Sequence, residues 1–345
     1  MTPAPILGHR SDLPLPNFPE KIMRLAAAIA AAFTFSLATL PPALAQDAPA
    51  KRVAVTQIVE HPALDATRQG VQDALAESGW TVGKNLDWSY ESAQGSVSTA
   101  AQIAKKFAGQ APDVIVAIAT PSAQTVAASA GSIPVVFSAV TDPVGAKLVR
   151  SLQEPGGPVT GTSDMLPLDK QLAMIRRAMP GLTRLGVIYN NGEANSVTLV
   201  ETLKGLTKEA GLTLVEATAP RSSDVLGAAR SLVGKADAVY VPTDNTVISS
   251  LEAVIKVGID NKLPVFTGDT ASVERGAAAA IGFDYHELGL QTGRMVARIL
   301  KGADPRTMPV EMVQKLDLYV NPGSAARMGL ALPEDMVAEA ATVIR

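Results

Sequence analysis

From residue 53 onward, short unbroken apolar runs return at intervals, each followed by a longer amphipathic stretch. The runs at residues 53–58, 114–119, 135–140, 185–189, 238–241 and 265–266 lack the apolar–polar alternation of a strand with one wet face. Strands buried on both faces of a parallel sheet need such continuous runs, because helices cover each side. The intervening stretches, residues 64–78, 97–108, 122–130, 168–179, 196–210, 225–233 and 246–257, show helical periodicity. The pattern is β-α-β-α and the expected class is α/β with parallel central sheets. Gly79, Gly131, Gly181, Gly211 and Gly258 mark the expected helix ends, since glycine tolerates the left-handed conformation that closes a helix.

A Pro/Gly-rich break, Glu154-Pro155-Gly156-Gly157-Pro158, interrupts this rhythm, which restarts at residues 159–164. Residues 51–161 and 162–269 repeat the same strand–helix order, so two Rossmann-like lobes are expected instead of one wide sheet. The tail adds a small-residue strand at 276–283, a helix at 286–300 and an extended stretch at 310–320. With two lobes, the chain is expected to cross back near Asp269–Thr270 and return near Pro305. That gives a first lobe of 51–161 plus 270–304, a second of 162–269 plus 305–345, and a multi-segment hinge.

The first 45 residues read as a leader. Lys21 and Arg24 precede an apolar run, residues 25–40, too short to span a bilayer comfortably, and Ala43 and Ala45 supply the small side chains of a cleavage site. Met23 is an alternative start. The chain has no cysteine, which excludes a thiol enzyme and the acylated cysteine of a lipoprotein. A soluble periplasmic protein is therefore expected. A formal charge of −3 favours neither nucleic acid nor an anionic membrane surface as a partner. With 47% hydrophobic and 18% charged residues, the mature chain can fill two cores.

Ligands of open parallel sheets sit beyond the carboxyl ends of the strands, so the residues that follow each run decide the chemistry. In the first half these are Gln57 and His61, then Thr120-Pro121-Ser122, then Ser138 with Thr141 and Asp142. Thr120 before Pro121 places a hydroxyl and free backbone N–H groups at a helix start, which suits an anionic group; the plain alternative is that Thr120 caps its own helix. In the second half Asn191, Asn195 and Ser196 follow one run, Asp244 and Asn245 another, and Asp269 a third. A carboxylate there can neutralise an ammonium or simply cap a helix. An anion site in one lobe facing acids in the other suits a zwitterion such as an amino acid. Three scattered histidines give no metal centre, and G-x-S-x-G, P-loop and G-x-G-x-x-G motifs are missing. No cofactor, metal or catalytic residue is expected, and of the aromatic residues Trp88, Tyr90, Phe137, Tyr189, Phe283 and Tyr285, one or two can wall an apolar pocket.

Taken together, Gln57 with His61-Pro62-Ala63-Leu64-Asp65, the segment 117–124, the segment 134–143, Thr160-Gly161-Thr162-Ser163-Asp164, the segments 186–190 and 193–196, and Thr243-Asp244-Asn245 resemble the ABC-transporter substrate-binding proteins of the tryptophan and aromatic amino acid type. The resemblance covers the whole mature chain. It implies a type I periplasmic-binding fold whose two lobes close on the ligand through three hinge segments. It also implies that Thr120, Ser122, Ser138 and Thr141 meet a ligand carboxylate, that Asp244 meets its amino group, and that an ABC permease takes the ligand from a monomeric receptor. Two alternatives stay open: a secreted two-lobed α/β enzyme and a ligand-sensing ectodomain.

Overall fold

The continuous apolar runs become the interior strands of two sheets. The computed structural model describes Met1, Thr2, Ala4 and residues 49–345. The expected leader, its cleavage site at Ala45 and Met23 lie outside the described residues. Residues Pro49–Arg345 form one compact unit. In chain order the strands are β1 (Lys51–Gln57), β2 (Leu86–Ser92), β3 (Val114–Ile118), β4 (Val135–Val140) and β5 (Val159–Ser163), then β6 (Arg184–Tyr189), β7 (Thr213–Thr218), β8 (Ala238–Val241), β9 (Val265–Thr267) and β10 (Ala279–Gly282). Three short strands close the chain: β11 (Glu311–Met312), β12 (Asp317–Val320) and β13 (Thr342–Val343).

The first sheet runs β11-β5-β4-β3-β1-β2, parallel throughout. The second runs β13-β12-β10-β9-β8-β6-β7, parallel except where β12 lies antiparallel to β10. Read from β2 to β5 and from β7 to β10, both have the doubly wound 2-1-3-4-5 order, so the two halves repeat one topology. In each, successive connections leave the sheet on opposite sides at the gap between its first and third strands. That gap is where a crevice opens. The edge strands β2 and β7 have no counterpart among the runs read from the sequence. Most of their residues are exposed or half-buried, so they lack the continuous apolar signature.

The chain passes between the sheets at three places, between Ser163 and Leu168, between Gly282 and Tyr285, and between Met312 and Asp317. The second and third differ from the expected positions. Strand β10 pairs with β9 in the second sheet, so the chain stays in that half past Asp269 and leaves only after Gly282. The extended stretch 310–320 is divided, with β11 on the first sheet and β12 on the second.

Helix Tyr285–Leu300 returns to the first half by packing on helix Pro62–Glu77. Glycine makes this contact possible: a Cβ at Gly70 would lie 2.2 Å from the His286 carbonyl oxygen, and one at Gly289 only 2.1 Å from that of Thr67. Any side chain there would force the helices apart. Helix 246–257 is in fact two, Asn245–Ile248 and Leu251–Asn261. Gly258 does not end it but lets it approach the Leu263 carbonyl, and the chain turns at Lys262, in the left-handed region.

Candidate functional site

The carboxyl ends of the two sheets face one another across a small open cavity. His61, Ala63, Leu64, Ala139, Thr141 and Asp164 line it from the first half. Asn195, Thr243, Asp244, Asn245, Ile248 and Asp269 line it from the second, with Tyr285 at the second crossing. It adjoins, at Asn245, a larger opening bounded by residues 94–97 and Pro121 on one side and residues 190–193 and 220–223 on the other.

Two residues beside this region hold left-handed backbone without being glycine. Ala119, just after β3, has φ +74°, and Ala139 has φ +53° where β4 slips register against β5. Such conformations cost of order 1–3 kcal/mol and persist where the surroundings impose them, commonly at binding sites. The turn at Ala119 starts helix Thr120–Ser129 with Thr120 as its first residue and Pro121 second. Thr120 therefore does not cap the helix. Its Oγ1 and the Ser122 Oγ are buried and find no partner among the described residues. The Nδ1 of His61 is likewise buried and unpartnered, although His61 holds the N-cap position of helix Pro62–Glu77. Burial first, then the positive charge of Arg275, lowers the His61 pKa to about 3, so its ring is neutral.

The facing edge of the second half is built differently. The Asp244 carboxylate accepts bonds from the Asn190 N–H at 2.6 Å and the Ser196 hydroxyl at 2.6 Å, and caps helix Asn245–Ile248 through the Val247 N–H at 2.8 Å. Glu193 accepts from the Asn245 side chain at 2.6 Å and from the Thr246 hydroxyl at 2.7 Å. Burial, with the Glu193 charge nearby, raises the Asp244 pKa above the ordinary carboxylate range. Asp269, just before helix Ala271–Glu274, accepts from the Ser272 N–H at 2.9 Å and the Ser272 hydroxyl at 2.7 Å, and burial raises it too.

The sequence-predicted residues separate into three groups. His61, Thr141, Asn195, Asp244, Asn245 and Asp269 meet at the cavity. Thr120 and Ser122 stand at the same sheet edge with free hydroxyls, and Gln57 presents a buried, unpartnered Oε1 while its amide nitrogen binds Asp65. Four others lie elsewhere. Ser138 is locked in a buried hydroxyl triad with Thr162 at 3.1 Å and Thr292 at 2.7 Å, which fastens helix Tyr285–Leu300 to the first sheet. Asp142 shapes a turn by accepting the Gly145 N–H at 2.8 Å. Ser196 spends its hydroxyl on Asp244 without lining the cavity, and Asn191 is exposed at the mouth.

Among the lining residues outside the predicted set are Asp164 and Tyr285, which bond to each other. Thr141 Oγ1 donates to Asp164 Oδ1 at 2.9 Å and the Tyr285 hydroxyl donates to Asp164 Oδ2 at 3.1 Å. Burial raises the Asp164 carboxyl and, with the neighbouring Asp164 charge, raises the Tyr285 phenol well above its usual value. Their signal in the sequence was position: Asp164 directly follows a buried strand. Among the described residues no group of three or more His, Cys, Asp or Glu is arranged to hold a metal, and no helix is long and apolar enough to cross a membrane.

Residues 52–344 match the family of ABC transporter substrate binding proteins. A tyrosine-binding protein from Clostridioides difficile is 40% identical over 271 residues, 79% of either chain. The crystal structure of an ABC domain from Streptococcus pneumonia in complex with L-Trp is 36% identical, covering 86% of this chain and 100% of that one, with a TM-score of 0.82. The ligand-free, open structure of a substrate binding protein from Clostridium difficile is 40% identical, covering 86% of this chain and 99% of that one, yet its TM-score is 0.65. The more distant sequence, crystallised with ligand, is thus the better structural match. A doubly wound pair of half-sheets, three crossings and a polar cavity between them make up the type I periplasmic-binding fold, and this chain belongs to the ABC transporter substrate-binding protein family.

Proposed function

We propose that the chain captures an aromatic amino acid between its two halves in the periplasm and presents it, closed, to an ABC permease. The observation that carries this reading is a contrast at and beside one open cavity. Unpartnered buried polar atoms, Thr120 Oγ1, Ser122 Oγ, His61 Nδ1, Asn195 Oδ1 and Thr243 Oγ1, gather at facing edges where three buried carboxylates also converge. A buried polar atom without a partner costs about 1–3 kcal/mol, and a cluster of them is sustained when a ligand supplies the missing bonds.

The helix start at Thr120 and Ser122 offers hydroxyls and free N–H groups to a carboxylate. Asp164, Asp244 and Asp269 bring negative charge suited to an ammonium, and no Lys or Arg lines the cavity. Ala63, Leu64, Ala139 and Ile248 with the Tyr285 ring leave an apolar wall for a flat side chain. The tyrosine-binding relative and the tryptophan complex support the aromatic choice. The better match to the liganded structure supports a closed arrangement, in which the ligand's contacts to both halves favour closure.

A thermal-shift series on the purified chain lacking residues 1–45 tests this. L-Tyr, L-Trp or L-Phe at 100 times its dissociation constant is expected to add about 2.7 kcal/mol of stability. Leucine, lysine and sugars are expected to add far less. Silence across all three aromatic amino acids would refute the reading.

A further inference from the structure

We propose that Asp164 is the carboxylate that receives the ligand's ammonium, and that its bond to Tyr285 ties ligand capture to the hinge. This rests on the amino acid reading above and names the group within that site that reads the amine.

The three cavity carboxylates differ in the bonds and charges that already surround them. Asp244 Oδ2 accepts two short bonds and Oδ1 caps a helix, with every partner in the second half. Asp269 also receives one bond on each oxygen, both from Ser272, but Arg275 already supplies a positive charge near it. Asp164 receives one hydroxyl on each oxygen and keeps an acceptor position on both. Asp164 is 4% exposed, and neither Lys nor Arg pairs with it among the described residues. A buried carboxylate in that setting lacks its counter-ion, which an ammonium provides.

Its position makes it more than a counter-charge. Asp164 directly follows β5, where the chain first leaves the first sheet, and Tyr285 stands where the chain returns after β10. The Tyr285 carbonyl is itself held by Thr67 Oγ1 at 3.2 Å, on helix Pro62–Glu77. The Asp164–Tyr285 bond thus joins the first crossing to the second at the cavity wall. An ammonium on Asp164 keeps the carboxylate ionised, and a bond to an ionised acceptor is the stronger kind. Ligand therefore tightens the link between the two crossings.

Isothermal titration of the intact mature protein with L-Tyr and with its deaminated hydroxyphenyl propionate analogue tests the assignment. The wild type is expected to prefer L-Tyr by about 100-fold. Asp164→Asn is expected to cut that preference below about 5-fold while keeping its affinity for the deaminated acid. Its ligand-free unfolding temperature is expected to be unchanged or higher, because a buried charge has been removed; a merely structural residue would lower it. Tyr285→Phe gives an independent arm, narrowing the preference several-fold in the wild-type background and not at all beside Asp164→Asn. Full preference for the amine in Asp164→Asn, or its loss in Asp269→Asn instead, overturns the assignment. A wild-type protein that binds neither compound overturns the amino acid reading itself, before any variant is made.

Discussion

The helix starts that face each other across the cavity obey opposite rules. At Thr120 the first half leaves hydroxyls unpartnered beside a strained alanine, and His61 stays neutral with a free ring nitrogen. At Asn245 the second half spends its carboxylates on itself, through Asp244 and Glu193. Unpartnered hydroxyls stand at the first helix start, while the carboxylates at the second are already bonded within their own half. The same polar residue types at a strand's end can therefore mean ligand or architecture, and the bonds they have already made tell which.

The largest effect that would break this contrast is at Asp244. Asp244→Ala strands the N–H groups of Asn190 and Val247 and the Ser196 hydroxyl, so unfolding in urea is expected to need about 3 kcal/mol less. Unchanged stability with collapsed affinity would make Asp244 a ligand group after all. His61 comes next. Its folded pKa lies below its unfolded value of about 6.5, so its contribution is fully present above that pH and is lost as pH falls toward about 3. At about pH 5 the loss is on the order of 2 kcal/mol, and His61→Asn is expected to flatten that part of the stability profile. Burial pushes Asp244 the other way, its contribution being lost as pH rises past the usual carboxylate range. Thr120→Val and Ser122→Ala are each expected to weaken amino acid binding by about 1 kcal/mol in titration, with stability held within about 0.5 kcal/mol. A stability loss without an affinity loss would return those hydroxyls to a structural role. Smallest of all, Asn191→Ala at the exposed mouth should change affinity less than about twofold.

The alternation of runs and helices, and the repeat of the two halves, were legible because buried parallel strands must be apolar without interruption. Strands β2 and β7 were not, since an edge strand with a wet side carries no such run. Of the residues at the strand tips, His61, Thr141, Asn195, Asp244, Asn245 and Asp269 line one cavity. What the tips could not say is which way each side chain turns. Ser138 alternates inward to Thr162 and Thr292, and Asp142 folds back on its own turn. Asp164 escaped because its importance comes from Tyr285, which lies 121 residues away along the chain. Contacts that distant are set by the crossings between sheets, and the second crossing fell later than the sequence suggested.

The most direct measurement of the account is calorimetric titration of the mature chain with L-Trp, with tryptamine and with indole propionate. L-Trp is expected to bind and each analogue, lacking one charged end, to bind at least about 10-fold more weakly, since each charged hydrogen bond carries about 1.5–3 kcal/mol. Equal binding of all three would show that the cleft does not read both ends of an amino acid.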